Sequence, residues 1–538
     1  MSLARVVWCF VPLALSFCLV IFLEDKINRW FAPFTQASPV TSASPDAAAS
    51  PGPGGKKRPK SNKDHFKVLL DPGHGGRGEH KGTTTGDDWD PALDEFLTGY
   101  LNGGSRVVNK ITYTEHEFVL ALAKRIKMWL DRTTDDRRWP EFEALIRRYQ
   151  DMQKMPVKRV WIDCSMTREN SYLDHPDAAN PNVDKYFRLF DGPDIVPYTA
   201  GAPLYPGRLS KINAAAADLM LGLHVNDSFV GSLRGSTALF VPPYQVYDQF
   251  RQAVLNQKPW DEVHNSPYFT CWSFSKPPGY HRQELADDVA RYFFDGAGNK
   301  LSRQKTGRAD RIQWRYRTDP PVERHDLAGK FDGPFWERER SIYEGYRRNG
   351  GVEEIGGDNL FSGQELVRFM RYALWKDFLK KPGPLPFPAQ PVKAGRTSVD
   401  PDLPPPGQTA ASVVPGDPAS AAPLNTAYGL PFAPEAYLGL HKPPLCSDWL
   451  ISEYTNSVAA YLEVAYLSNP ADLWLLDNKL DVIAEGIAVG VYSLMTGLKV
   501  KDLPGLPSPR GAPVDWDRYY DTPWGRSWFE MARPDGAR

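Results

Sequence analysis

The sequence predicts an α/β fold: a mostly parallel twisted sheet flanked by helices, with a large insertion and an N-terminal transmembrane helix. Three observations predict it. Short apolar runs of strand length alternate with amphipathic segments of helical period. The first such run, Phe66 to Leu70, passes directly into a glycine-rich loop, DPGHGG at 71–76, the pattern of a strand end in an α/β sheet. An uncharged, mostly apolar stretch from Val6 to Leu23 opens the chain.

That opening stretch approaches the roughly 20 apolar residues that cross a bilayer. Arg5 precedes it, and Glu24, Asp25, Lys26 and Arg29 follow. The positive charge on its N-terminal side directs the rest of the chain out of the cytoplasm. A cleaved signal peptide shares this design, but no small-x-small site closes the run. Residues 1–35 are therefore expected to anchor the protein in the inner membrane with the remainder in the periplasm, or secreted if the segment is cleaved. Residues 36–64, rich in Pro, Ser, Ala and Gly without apolar period, form a tether.

A folded domain is expected over 65–500. Thr114, with Glu117 three residues on, starts a helix through a capping box, and Val119, Leu122, Ala123, Ile126 and Leu130 follow at helical spacing. Val160 to Cys164 reads as a buried strand, Arg208 to Ala217 as a helix, Asp218 to His224 as a strand, and Ser236 to Val241 as another. Regularity fails across 300–445, which is read as an insertion. Within it, 382–435 is an extended Pro-rich loop and 358–381 a helix carrying Leu366, Phe369, Met370, Ala373 and Leu374. Val458 to Leu467 is a strand bearing Glu463, and a final amphipathic helix runs from Leu480 to Leu494. Residues 501–538 are read as a tail.

Composition excludes some functions. Lysine and arginine number 64 against 65 acidic residues, so no global field points to nucleic acid. The five cysteines form no CxxC pair, which removes a cysteine zinc site of ordinary spacing. A Cys271–Cys446 bridge is the one pairing considered, with isolated thiols as the simpler expectation.

Hydrolytic zinc sites use three protein ligands, commonly His and carboxylate, with a further carboxylate to handle the proton. His74 and His224 lie at the C-terminal ends of expected strands, the edge at which α/β sheets build their sites. Glu463, between Leu462 and Val464, is a charge in an apolar strand and calls for a metal, a partner or a role. Glu115 competes with Glu117 and His116 as a third ligand. The capping box assigns Glu117 to the helix end and leaves Glu115 facing the sheet edge.

Six ordered segments carry a family resemblance: DPGHGG at 71–76, EHEFVLALAKRI at 115–126, Arg208-x4-Asn213, ADLMLGLHVND at 217–227, GSTALFVP at 235–242 and LEVAYLSN at 462–469. Together they resemble the zinc-dependent N-acetylmuramoyl-L-alanine amidases. The resemblance implies zinc ligation by His74, Glu115 and His224, catalysis by Glu463, and peptidoglycan as substrate. Asn226 and Arg208 are candidates to position peptide or carboxylate groups, with a helix-cap or loop role for Asn226 and a surface salt bridge for Arg208 as equal alternatives. The sequence departs from the family in lacking an aspartate after DPGHGG, in Leu221-Gly222-Leu223 before His224, and in Ala465 where glycine is usual. Other zinc peptidases of the peptide stem and an inactive wall-binding regulator are the competing classes. Because related cell-division amidases are held inactive by an inserted helix, 358–381 is a candidate plug through Glu365, with an activator protein as a partner. The plain alternative is a helix that packs its Leu366/Phe369 face on the domain.

Overall fold

The computed structural model describes residues 63–77, 88–90, 95–97, 103–151, 156–189, 192–193, 204–227, 235–240, 342–348, 357–380, 435–438, 451, 455–503, 508–522 and 525–531. The expected membrane segment, the tether but for Lys63 and Asp64 at its end, the Pro-rich loop but for Glu435 at its end, and Cys271 and Cys446 lie outside these residues. Among the described residues no helix is long and apolar enough to cross a membrane.

Six strands form the central sheet: β1 (His65–Pro72), β2 (Trp161–Met166), β3 (Leu219–Asn226), β4 (Thr237–Phe240), β5 (Glu435–Leu438) and β6 (Val458–Tyr466). Their spatial order is β5-β4-β6-β3-β1-β2. β2, β1, β3 and β6 run parallel, whereas β4 is antiparallel to β6 and parallel to β5. The last strand in sequence thus enters the middle of the sheet. Its neighbour β3 is equally central, and all nine residues of β6 and seven of the eight in β3 are buried. Strands covered on both faces need near-continuous apolar runs, which is what LMLGLHV and VAAYLEVAY supply.

Helix α1 (Glu115–Leu130) packs on β1 and β3, with Val119, Leu122, Ala123 and Ile126 buried as the spacing predicts. After α2 (Trp139–Tyr149) and α3 (Arg208–Ala215), two helices come from the stretch read as an insertion: α4 (Ile342–Arg348) and α5 (Gly357–Lys380). After β6 come α6 (Pro470–Asn478) and α7 (Leu480–Thr496), and two short helices, Asp517–Tyr520 and Trp528–Met531, come last among the described residues. α7 lies against both α5 and α1, and Phe142 of α2 meets its Tyr492 at 5.8 Å between ring centroids. It is buried over most of its surface, and its sequence is correspondingly apolar except on the side that carries Asp481 and Glu485.

Two stretches carry more of the core than their labels convey. From the stretch read as an insertion, α5 packs on β4, β6 and α7, and Leu366, Val367, Phe369, Met370 and Leu374 are fully buried. Described residues of the 501–538 stretch also pack on the domain. Trp516, Tyr519, Trp528 and Phe529 are buried, Trp516 Nε1 donates to the Leu494 carbonyl at 2.7 Å, and Trp528 stacks on Tyr343 of α4.

Candidate metal centre

The parallel strands bring their C-terminal ends to one edge, and the predicted ligands meet there. β1 ends at Pro72, and the chain turns so that the Gly73 amide donates to the Leu223 carbonyl at 2.9 Å. Gly73 has to be glycine, because a Cβ there would overlap the His224 ring. His74 then adopts φ 57°, a left-handed conformation that a non-glycine residue holds only when its surroundings enforce it.

Glu115 is the first residue of α1, where the helix dipole favours a carboxylate. Its Oε1 lies 3.1 Å from His224 Nδ1 and 3.4 Å from His74 Nε2. Potential ligand atoms of all three residues fall within 4.8 Å of one another, and all three side chains are buried. The amide of Val225 donates to Oε1 at 3.0 Å and that of Gly104 to Oε2 at 2.7 Å. Burial alone would raise the Glu115 pKa, but the charge of His74 and the hydrogen bonds from both histidines hold it well below the usual carboxylate range.

Of the two glutamates it is Glu115 that joins the histidine cluster, although the capping box does not form as predicted. Thr114 Oγ1 donates to Glu117 Oε2 at 2.5 Å, Thr114 makes no side-chain bond to the helix backbone, and Glu117 is exposed. His116 is buried beside Tyr172, with ring centroids 5.8 Å apart, and stands outside the ligand cluster.

Glu463 pairs in register with His224 on the neighbouring parallel strand, so the two side chains stand on the same face of the sheet near its C-terminal edge. Glu463 is 4 % exposed. Asn226, two residues beyond His224, is half-buried at the strand end, and its carbonyl accepts the Leu467 amide. Arg208 departs from its expected role. Its guanidinium is fully buried, donating from Nη1 to Asp71 Oδ2 at 2.6 Å and from Nε to the Phe187 carbonyl at 3.1 Å. A charge committed to a buried carboxylate beneath the loop is a structural partner of DPGHGG, and a substrate carboxylate does not reach it. Glu365 is likewise no plug. It is fully buried and accepts the backbone amides of Gly511 at 2.9 Å and Arg510 at 3.1 Å, holding the C-terminal segment.

Sequence reasoning missed three supports. Gly103 and Gly104 lie at the root of an exposed ribbon, Ser105–Val108 paired with Ile111–Thr114, and cradle Glu115. The Gly-Gly pair shortly before a candidate ligand was the available signal. Arg168 donates to the carbonyls of Pro72, Gly73, Asn170 and His116 at 2.7–3.0 Å, tying the histidine loop to the first turn of α1. Nothing in the sequence marks it. Tyr461 stacks on His224, with ring centroids 4.3 Å apart and planes 11° from parallel.

The donor set fits a zinc ion: two imidazoles and one carboxylate, converging and held by backbone amides. No protein-family model and no curated protein matches the chain. Among solved structures the chain is similar to the CwlD amidase from Clostridioides difficile in complex with the GerS lipoprotein, at 10 % identity over 79 % of this chain and 96 % of that one, with a TM-score of 0.27. It is similar also to the N-acetylmuramyl-L-alanine amidase Ami1 from Mycobacterium smegmatis, at 12 % identity over 79 % and 94 %, TM-score 0.28. A third is the N-acetylmuramoyl-L-alanine amidase from Clostridium difficile 630, at 10 % identity over 80 % and 97 %, TM-score 0.26. At these identities and TM-scores the chemistry of the site rests on its own geometry.

Proposed function

We propose that the protein is a zinc-dependent N-acetylmuramoyl-L-alanine amidase that hydrolyses the amide between N-acetylmuramic acid and L-alanine in peptidoglycan, held at the cell envelope by its N-terminal segment. The observation that carries this reading is the buried His74–Glu115–His224 cluster with Glu463 in register beside it. The ordered motifs that resemble the amidase family contain the same four residues.

A zinc ion bound by the three ligands supplies a Lewis acid that makes water nucleophilic near neutral pH and polarises the amide carbonyl. The protein's own part falls to five groups. Glu463 accepts a proton from the attacking water at a carboxylate oxygen and returns it to the departing amine. The amides of Gly104 and Val225 hold Glu115 in place, and Arg168 keeps the His74 loop fixed against α1. Asn226, at the strand end on the same face as His224, orients the stem peptide.

The test is a muropeptide digest with the wild-type protein, the Glu463→Ala variant and chelator-treated protein. The wild type releases whole stem peptides and leaves free muramyl glycan. Glu463→Ala lowers the rate by about 10²–10⁴-fold, the usual worth of a positioned acid–base group, and chelation abolishes release until zinc is restored. Equal release by all three defeats the mechanism, and peptide fragments from within the stem reassign the enzyme to the zinc peptidases.

A further inference from the structure

His224 is held on its flat side. The ring of Tyr461, itself fully buried, stacks on the imidazole at 4.3 Å and 11°. The backbone at Gly73 approaches the imidazole so closely that no Cβ fits there. His74 meets the same ring edge to face, at 5.0 Å and 80°. The sequence makes room for the tyrosine one strand away. Gly222 is the register partner of Tyr461, and a Cβ at Gly222 would come within 3.1 Å of Tyr461 Cδ2. A large side chain on β6 thus fills the space that a missing one leaves on β3.

The chemistry of imidazole makes this contact more than packing. A ring nitrogen binds a metal through a lone pair in the ring plane, so a group stacked on the face fixes that plane and leaves both nitrogens accessible. A hydrogen bond from an outer partner fixes one nitrogen instead. Tyr461 also lies two residues before Glu463, which puts both on one face of β6. The side chain that orients the ligand and the carboxylate proposed to move the proton are therefore set by the same strand.

We propose that Tyr461 is a positioning residue for the metal centre, acting through the plane of the His224 imidazole, with Gly222 as the space that its ring requires. The inference rests on the reading of His74, Glu115 and His224 as metal ligands. It makes the aromatic ring, and not the hydroxyl, the working part.

The experiment measures cobalt(II) and zinc(II) affinity of the full chain by competition with a chromophoric chelator, together with the visible spectrum of the cobalt(II) form. The wild type, Tyr461→Phe, Tyr461→Leu and Gly222→Ala are compared, with folding checked by circular dichroism. Tyr461→Phe is expected to bind within about twofold of wild type with an unchanged cobalt spectrum. Tyr461→Leu loses about tenfold or more in affinity, the scale of losses at outer-shell partners of metal ligands, and its cobalt bands shift. Should the leucine variant not fold, Gly222→Ala decides, because it displaces the ring and keeps the tyrosine. The inference is overturned if the folded leucine variant, or the alanine variant in its stead, binds as the wild type does, or if phenylalanine loses as much as leucine. A wild-type protein that binds neither metal defeats the ligand reading itself, a result distinct from these.

Discussion

Gly103 makes no contact that a sequence motif would name, yet the site depends on what it lacks. Its φ is +66°, and a Cβ there would lie 2.6 Å from Glu115 Oε2 and 2.7 Å from His74 Cδ2. The next residue returns both its amide and its carbonyl to Glu115, at 2.7 Å and 2.9 Å. We expect Gly103→Ala to lower zinc affinity about 10–100-fold, because it moves an outer support and two of the proposed ligands together. Competition with a chelator measures this, and unchanged affinity would show that the carboxylate of Glu115 is not a ligand. The residues that sequence reading singled out, His74, Glu115, His224 and Glu463, share a legible property: each is a polar side chain within or directly beside an apolar element. For Arg208 the sequence left a substrate carboxylate and a salt bridge equally open, because it shows that a charge exists and not which charge faces it. Here Asp71, far away in sequence, takes it at zero exposure.

At the scale of elements, α5 shows the same limit. Its helical spacing is plain, and the expected 358–381 agrees with the observed Gly357–Lys380. Its environment is not plain, because a helix buried on several sides and a helix lying over a cleft both show an apolar stripe. What settles it is the partner helix. Gly486 and Gly490 on α7 let α5 approach so closely that a Cβ at Gly486 would meet the Met370 Cα and the Phe369 carbonyl oxygen at 2.8 Å, and one at Gly490 would meet Leu366 Cδ2 at 2.9 Å. Two effects oppose each other in Gly486→Ala. Helix propensity favours alanine by about 1 kcal/mol, whereas overpacking against backbone costs typically about 1–3 kcal/mol. We expect net destabilisation of roughly 1 kcal/mol or more by chemical denaturation, and a stabilised variant would mean that α5 and α7 sit farther apart.

For the whole molecule, the C-terminal segment behaves as a clasp. Trp516 reaches the end of α7 through its indole nitrogen, Tyr519 OH donates to Asp358 Oδ2 of α5 at 2.6 Å, and Trp528 stacks on Tyr343 of α4 at 4.8 Å. Four large aromatic side chains are buried there, each contributing about 1.5–3 kcal/mol if wholly withdrawn from water. Typical domain stability is only about 5–15 kcal/mol. Truncation after residue 507 is therefore expected to leave an aggregated or molten product, scored by soluble yield and thermal melting. A truncated chain that melts with the full-length protein would restore the view of 501–538 as a tail.

The sequence by itself determined the identity and limits of most strands and helices, and which four polar residues stand in or beside them, because apolar runs, helical period and glycine placement are local properties of a chain. Only the tertiary structure decided that β6 enters between β3 and β4, that β4 and β5 run against the other strands, and that the supposed insertion supplies a core helix. It also decided that Gly103, Arg168 and Tyr461 surround the predicted ligands. Each of these is a choice of partner between segments far apart in sequence. Such a choice is made by the fit of surfaces that no local window contains.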